Sequence, residues 1–150
     1  MPDESPPILL AEDNLRDVEL TLAALKKNNL ANEVIVVRHG GEVLDFLYRR
    51  ESFANRPPGH PIVVLLDLKM PKVDGLEVLR QVKSDENLKT IPIVMLTSSR
   101  EEVDLIKSYE LGANAYVVKP VGFQQFVEAI QQTGMFWAVT NEPPARRARP

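Results

Sequence analysis

The run Ile62-Val63-Val64-Leu65-Leu66-Asp67-Leu68-Lys69-Met70-Pro71 decides the fold. Five consecutive apolar side chains without polar alternation fit a strand buried on both faces, the kind found in parallel sheets covered by helices. Asp67 then stands at the C-terminal tip of that strand. In open parallel α/β sheets, ligands bind outside the carboxyl ends of the strands. Asp67 is therefore the first candidate for the working residue of the chain.

The same pattern repeats outward in both directions. Upstream, Ile8-Leu9-Leu10-Ala11 reads as a strand, and Leu15, Val18, Leu22 and Leu25 recur as one face of a helix. Val34-Ile35-Val36-Val37 is a second strand, Gly40-Gly41 a break, and Val43, Leu44 and Leu47 mark a second helix. Downstream, Leu76, Leu79 and Val82 give a third helical stripe, and residues 91–96 a fourth strand. Ser99-Arg100-Glu101-Glu102 fits a capping box opening a fourth helix. Ala115-Tyr116-Val117-Val118 is a fifth strand, and Phe123, Phe126, Val127 and Ile130 fall at i, i+3, i+4, i+7 of a fifth helix. Five βα units imply an α/β fold, a doubly wound parallel sheet; periodicity does not fix the strand order, and the flavodoxin-like order 2-1-3-4-5 is expected as the commonest solution for five units. The proline-rich stretch from Glu51 to Pro61 is expected to be a loop. Residues 1–6 read as an N-terminal tail, 7–137 as the domain, and 138–150 as a C-terminal tail without fixed structure.

The strand tips carry the chemistry. Strand one ends in Glu12-Asp13, strand three in Asp67, strand four in Thr97-Ser98, and strand five in Lys119-Pro120. In a 2-1-3-4-5 sheet these four strands are neighbours, so their tips converge beside the point where strand order reverses. Three carboxylates that close repel one another unless a cation sits among them. Mg²⁺ suits them, because it takes oxygen ligands through one or two carboxylates and shares them with phosphate. A phosphoryl group is the implied substrate, with Lys119 and Thr97 as partners for its oxygens. Asp67 is central enough to be a nucleophile that forms an aspartyl phosphate. Glu12 and Asp13 also suit the N-terminus of the first helix, whose dipole favours acids.

At this level of detail the chain resembles the receiver domain of two-component response regulators. The resemblance covers roughly Ile8 to Thr133. It is carried by Glu12-Asp13, Asp67, Thr97 and Lys119-Pro120, by Leu65 through Gly75, and by Gly112 through Pro120. It implies that Asp67 accepts a phosphoryl group from a sensor histidine kinase. Glu12, Asp13, Asp67 and the main-chain carbonyl of Lys69 would arrange Mg²⁺. Lys119 would pair with the phosphoryl group, Thr97 and Ser98 would border it, Tyr116 would turn inward as Thr97 moves, and the Lys119–Pro120 bond would be cis. The Glu51–Pro61 insertion, Ser108-Tyr109-Glu110-Leu111 and Phe136-Trp137 resemble the single-domain regulators paired with phytochrome kinases. That narrower likeness implies a bacteriophytochrome partner. It also implies a homodimer through the fourth helix, fifth strand, fifth helix and the C-terminal extension, with Phe136 and Trp137 at the interface.

The alternative is a Mg²⁺-dependent phosphohydrolase with an aspartyl-phosphate intermediate. Hydrolases of the haloacid-dehalogenase type place a second aspartate two residues past the nucleophile, where this chain has Lys69. The expectation is accordingly a signalling module and not an enzyme. A net charge of −3 over 150 residues gives no reason to expect a nucleic-acid surface. No stretch approaches the roughly 18 apolar residues of a membrane span. The chain has no cysteine, so neither a disulfide framework nor thiol catalysis is available, in keeping with a cytoplasmic setting. His39 and His60 fall in expected loops with no partner at ligand spacing, and both are expected to face solvent without a metal.

Overall fold

A computed structural model describes residues 6–26, 32–70 and 73–133. Its elements are β1 (Ile8–Ala11), α1 (Leu15–Lys26), β2 (Val34–Val37), α2 (Gly40–Tyr48), a 3₁₀ turn (Glu51–Phe53), β3 (Val63–Asp67), α3 (Gly75–Ser84), β4 (Ile93–Thr97), α4 (Arg100–Ser108), β5 (Ala115–Val118) and α5 (Phe123–Thr133). The strands form one sheet in the order β2-β1-β3-β4-β5, and every neighbouring pair is parallel. This is the flavodoxin-like arrangement expected as the commonest solution for five βα units.

Strands this apolar follow from having two cores to fill. Ile8 and Leu10 of β1, with Val63 and Leu65 of β3, join Val18 and Leu25 of α1 and Phe126 and Ile130 of α5. The intervening residues, Leu9, Ala11, Val64 and Leu66, join Phe46 of α2, Leu79 of α3 and Ile106 of α4 on the other face. Successive strand side chains point to opposite faces, so a strand covered on both sides needs an unbroken apolar run. Each fully buried side chain of this size contributes roughly 1.5–3 kcal/mol.

Several local expectations are corrected. Leu15 does not belong to the buried face of α1: it is 55% exposed, whereas Val18, Thr21 and Leu25 are buried and Leu22 packs partly buried against the same core. Gly40-Gly41 is not a break but the first turn of α2. Gly40 is required there by a close approach, since a Cβ would stand 1.9 Å from the carbonyl oxygen of Val73. His39 is half-buried and caps α2, its Nδ1 accepting the Glu42 N–H at 3.2 Å. The third and fourth strands lie at Val63–Asp67 and Ile93–Thr97, displaced toward the C-terminus from the apolar runs that announced them. Pro92 ends the earlier extension, because it has no N–H for the ladder.

The Glu51–Pro61 segment holds one 3₁₀ turn and is stapled by Arg56. That guanidinium donates to the carbonyls of Phe46 (2.8 Å), Pro57 (2.9 Å) and Gly59 (3.0 Å), and lies 4.0 Å over the Phe46 ring. Arginine suits this place because a planar fork satisfies several carbonyls while stacking on an aromatic face.

Candidate functional site

Strand register assembles the site. β1 and β3 pair with Ala11 opposite Leu66, so the next residue on each strand, Glu12 and Asp67, come side by side. β4 pairs Leu96 with Asp67, and β5 pairs Val118 with Thr97, which puts Lys119 one step past the tip of β5. The Lys119 N–H donates to the Thr97 carbonyl at 2.7 Å, and the Lys119–Pro120 peptide bond is cis. Glu12, Asp67 and Thr97 are buried, and Asp13 is exposed on the open side.

The Lys119 ammonium stands among carboxylates. It is 2.9 Å from Asp17 Oδ2, 3.2 Å from Glu12 Oε1 and 3.3 Å from Asp67 Oδ1. Burial alone would pull its pKa down, but the Asp17 hydrogen bond and the charges of Asp67 and Glu12 outweigh it and raise the pKa above the ordinary lysine value. Burial also pushes the Glu12 carboxyl up, to about 7, reinforced by a hydrogen bond and charge repulsion from Asp67 and opposed by Lys119 and the Asn14 N–H.

One carboxylate oxygen from each of Glu12, Asp13 and Asp67 lies within 4.8 Å of the others. Such an all-oxygen set of clustered acids, where burial first and the neighbouring Asp67 second favour a proton on Glu12, fits a hard divalent cation.

The other expected residues border this centre. The Thr97 hydroxyl donates to the Ser99 carbonyl at 3.2 Å. Ser98 is exposed, and its N–H (2.8 Å) and hydroxyl (3.0 Å) both donate to Glu102 Oε1. The Lys69 N–H reaches only to 3.5 Å from Asp67 Oδ1, while its ammonium pairs with Glu102 Oε2 at 3.0 Å. Ser99 caps α4 by accepting the Glu102 N–H at 3.2 Å. Glu102 thus ties the loop after β3 to the loop after β4. Tyr116 is partly buried on β5, with the Lys107 ammonium 5.4 Å from its ring centre, and burial raises its phenol pKa. Phe136 and Trp137 lie outside the described residues.

Sequence reasoning missed three contributors. Asp17 lies one helical turn beyond Asp13, a spacing that could have placed it on the same side of the chain. Glu102 was read only as half of a capping box. Gly75 passed as part of a motif, yet a Cβ there would stand 2.4 Å from the Asp67 carbonyl oxygen and 2.9 Å from Leu68 Cα. Its N–H donates to the Leu68 carbonyl at 3.0 Å, so α3 begins directly against the backbone that carries Asp67.

Comparison with known proteins agrees with this fold. The profile of the Response regulator receiver domain family matches residues 8–131. The response regulator Rcp1 of Synechocystis sp. is 40% identical over 148 residues, covering 97% of this chain and 99% of that protein. The solved structure of the bacteriophytochrome response regulator AtBRR superposes with a TM-score of 0.88 at 65% identity, covering 93% of this chain and 99% of that one. The Mn²⁺-bound form of Rcp1 superposes with a TM-score of 0.69 at 37% identity, over 89% and 95% of the two chains.

Proposed function

From the premise that this chain belongs to the response regulator receiver family and is related to the phytochrome response regulators, we propose that Asp67 is the phosphoacceptor of a two-component phosphorelay. The donor is a phosphohistidine on a sensor histidine kinase, in this reading a bacteriophytochrome. An Asp67 carboxylate oxygen attacks phosphorus, the acyl P–O bond forms, and the P–N bond breaks with its electron pair leaving on the imidazole. The observation that carries the reading is the convergence on Asp67 of two further carboxylates and the Lys119 ammonium at 3.3 Å.

Glu12, Asp13 and Asp67, with the main-chain carbonyl of Lys69, would hold Mg²⁺. The ion, when bound, neutralises charge that develops on the transferring phosphoryl oxygens. The residues do the rest. Lys119 offers a point charge to a phosphoryl oxygen. Thr97 exchanges its bond to the Ser99 carbonyl for one to the phosphoryl group, and Tyr116 follows inward. Lys69 and Glu102 engage each other beside Asp67, and the position two residues past Asp67 offers no carboxylate to activate water. That supports a signalling role over multiple turnover.

The output is carried by the α4–β5–α5 face, where Leu105 of α4 and Tyr109 at its C-cap are each 51% exposed, and the partner there is a second copy of the chain. In this reading the chain lies in the cytoplasm without a nucleic-acid partner; among the described residues no helix is long and apolar enough to cross a membrane. The test is transfer of labelled phosphate from a phosphohistidine donor, with Mg²⁺, to the wild-type chain and to Asp67→Asn. Stoichiometric labelling that disappears in the variant is expected; label retained by Asp67→Asn refutes the assignment. Light scattering on the same samples reads assembly, and a monomer in both states would remove the homodimer.

A further inference from the structure

The geometry points to Asp17 as a positioning residue that holds the Lys119 ammonium in place to receive the phosphoryl group, a role that rests on the assignment of Asp67 as phosphoacceptor. An ammonium has three N–H donors. In this site three carboxylates surround it, and the shortest contact, 2.9 Å, is to Asp17, against 3.2 Å to Glu12 and 3.3 Å to Asp67. The three carboxylates differ in what phosphorylation does to them. Asp67, an ion-pair partner at 3.3 Å and not a hydrogen-bond acceptor of the ammonium, becomes an acyl phosphate, so the positive charge that faced its carboxylate then faces a phosphoryl oxygen. Glu12 belongs to the metal-ligating set. Asp17 is outside that set, so its bond to Lys119 can persist through the transfer.

Asp17 is itself well held. It lies in the first turn of α1, and its N–H donates to Asn14 Oδ1 at 3.0 Å. The helix behind it is anchored by Val18 and Leu25 in the core. A lysine has a flexible four-carbon stem, and an ammonium aimed in advance need not be ordered when the phosphoryl group arrives. The carboxylate of Asp17 does for Lys119 what an outer carboxylate does for a ligating histidine: it fixes direction without touching the reacting atoms.

The test is binding of beryllofluoride with Mg²⁺, together with the rate of labelling by a small phosphodonor, in the wild-type chain, Asp17→Ala, Asp17→Asn and Asp67→Asn. Loss of one charge-assisted contact should weaken beryllofluoride binding and slow labelling about tenfold in Asp17→Ala. Asp17→Asn keeps an acceptor oxygen and should recover to within about threefold of wild type. A purely structural role would not give that rescue; urea midpoints check the fold, and Asp17→Ser replaces the alanine variant if that one is unstable. Unchanged or tighter binding in Asp17→Ala, or equal losses in alanine and asparagine variants, overturns the positioning role. A wild-type chain that takes up no label, or label kept by Asp67→Asn, is a different failure and falls on the phosphoacceptor assignment.

Discussion

Replacing Glu12 by glutamine should stabilise the metal-free protein at neutral and alkaline pH. Glu12 is 1% exposed beside Asp67, and its carboxyl is pushed from 4.5 to about 7. Burial is the largest cause, and the Asp67 hydrogen bond and repulsion add to it. The folded state therefore binds the Glu12 proton more tightly than the unfolded chain does. Stability from this group is fully present below pH 4.5 and falls as pH rises, until the folded-state value near 7 is passed. With 1.36 kcal/mol per pKa unit, the loss is on the order of 3 kcal/mol. Glutamine mimics the protonated acid at every pH and escapes the loss. Urea denaturation in chelator, from pH 4 to pH 9, should show the advantage of Glu12→Gln growing between about pH 4.5 and 7 and then levelling. Saturating Mg²⁺ should flatten the wild-type dependence, because a cation favours the carboxylate. A stability difference independent of pH in chelator, or a wild type that outlasts the variant at pH 8, would refute the account of this buried acid.

Two further outcomes follow from the packing around the site. Gly75→Ala sets a Cβ against the Asp67 carbonyl and Leu68 Cα, atoms of backbone that have little room to give. It should cost about 1–3 kcal/mol in urea denaturation and slow labelling of Asp67, whereas an effect on neither would show that α3 can shift freely. Lys83→Met removes the ammonium that donates to the carbonyls of Lys89 (3.1 Å) and Ile91 (2.8 Å) and to Asn114 Oδ1 (3.1 Å). Burial lowers the pKa of this lysine, yet the unpaired carbonyls left by methionine should make the variant less stable by about 1–2 kcal/mol; a more stable variant would mean that desolvation of the lysine dominates.

The fold was legible because its signal is periodic. Residues 62–66, 34–37 and 115–118 are apolar runs that only a sheet covered on both faces can use, and the helical stripes between them force parallel connections. Errors arose where one residue serves a local demand that periodicity does not register. Leu15 has the right spacing for the core, but it opens α1 beyond the edge of the packed layer. Gly40 looks like a chain break, yet it is there because the Val73 carbonyl comes too close for a side chain.

By itself the sequence determined that carboxylates, a hydroxyl and a lysine end four strands of a parallel sheet, because strand polarity places every tip on one edge; that the four strands are neighbours was decided by the strand order of the folded sheet. It determined the family for the same reason, through Asp67, Lys119 and the residues around them. Only the tertiary structure decided how those charges are shared. Nothing in the spacing of Asp17 and Lys119 says that they meet at 2.9 Å, since they are 102 residues apart and the contact depends on the angle at which α1 leaves β1. Nor does it say that Glu102 joins Lys69 to Ser98, or that Glu12 is buried deeply enough to hold its proton to about 7. Those are consequences of distance and solvent exclusion, which the order of residues along a chain encodes only through the folded packing.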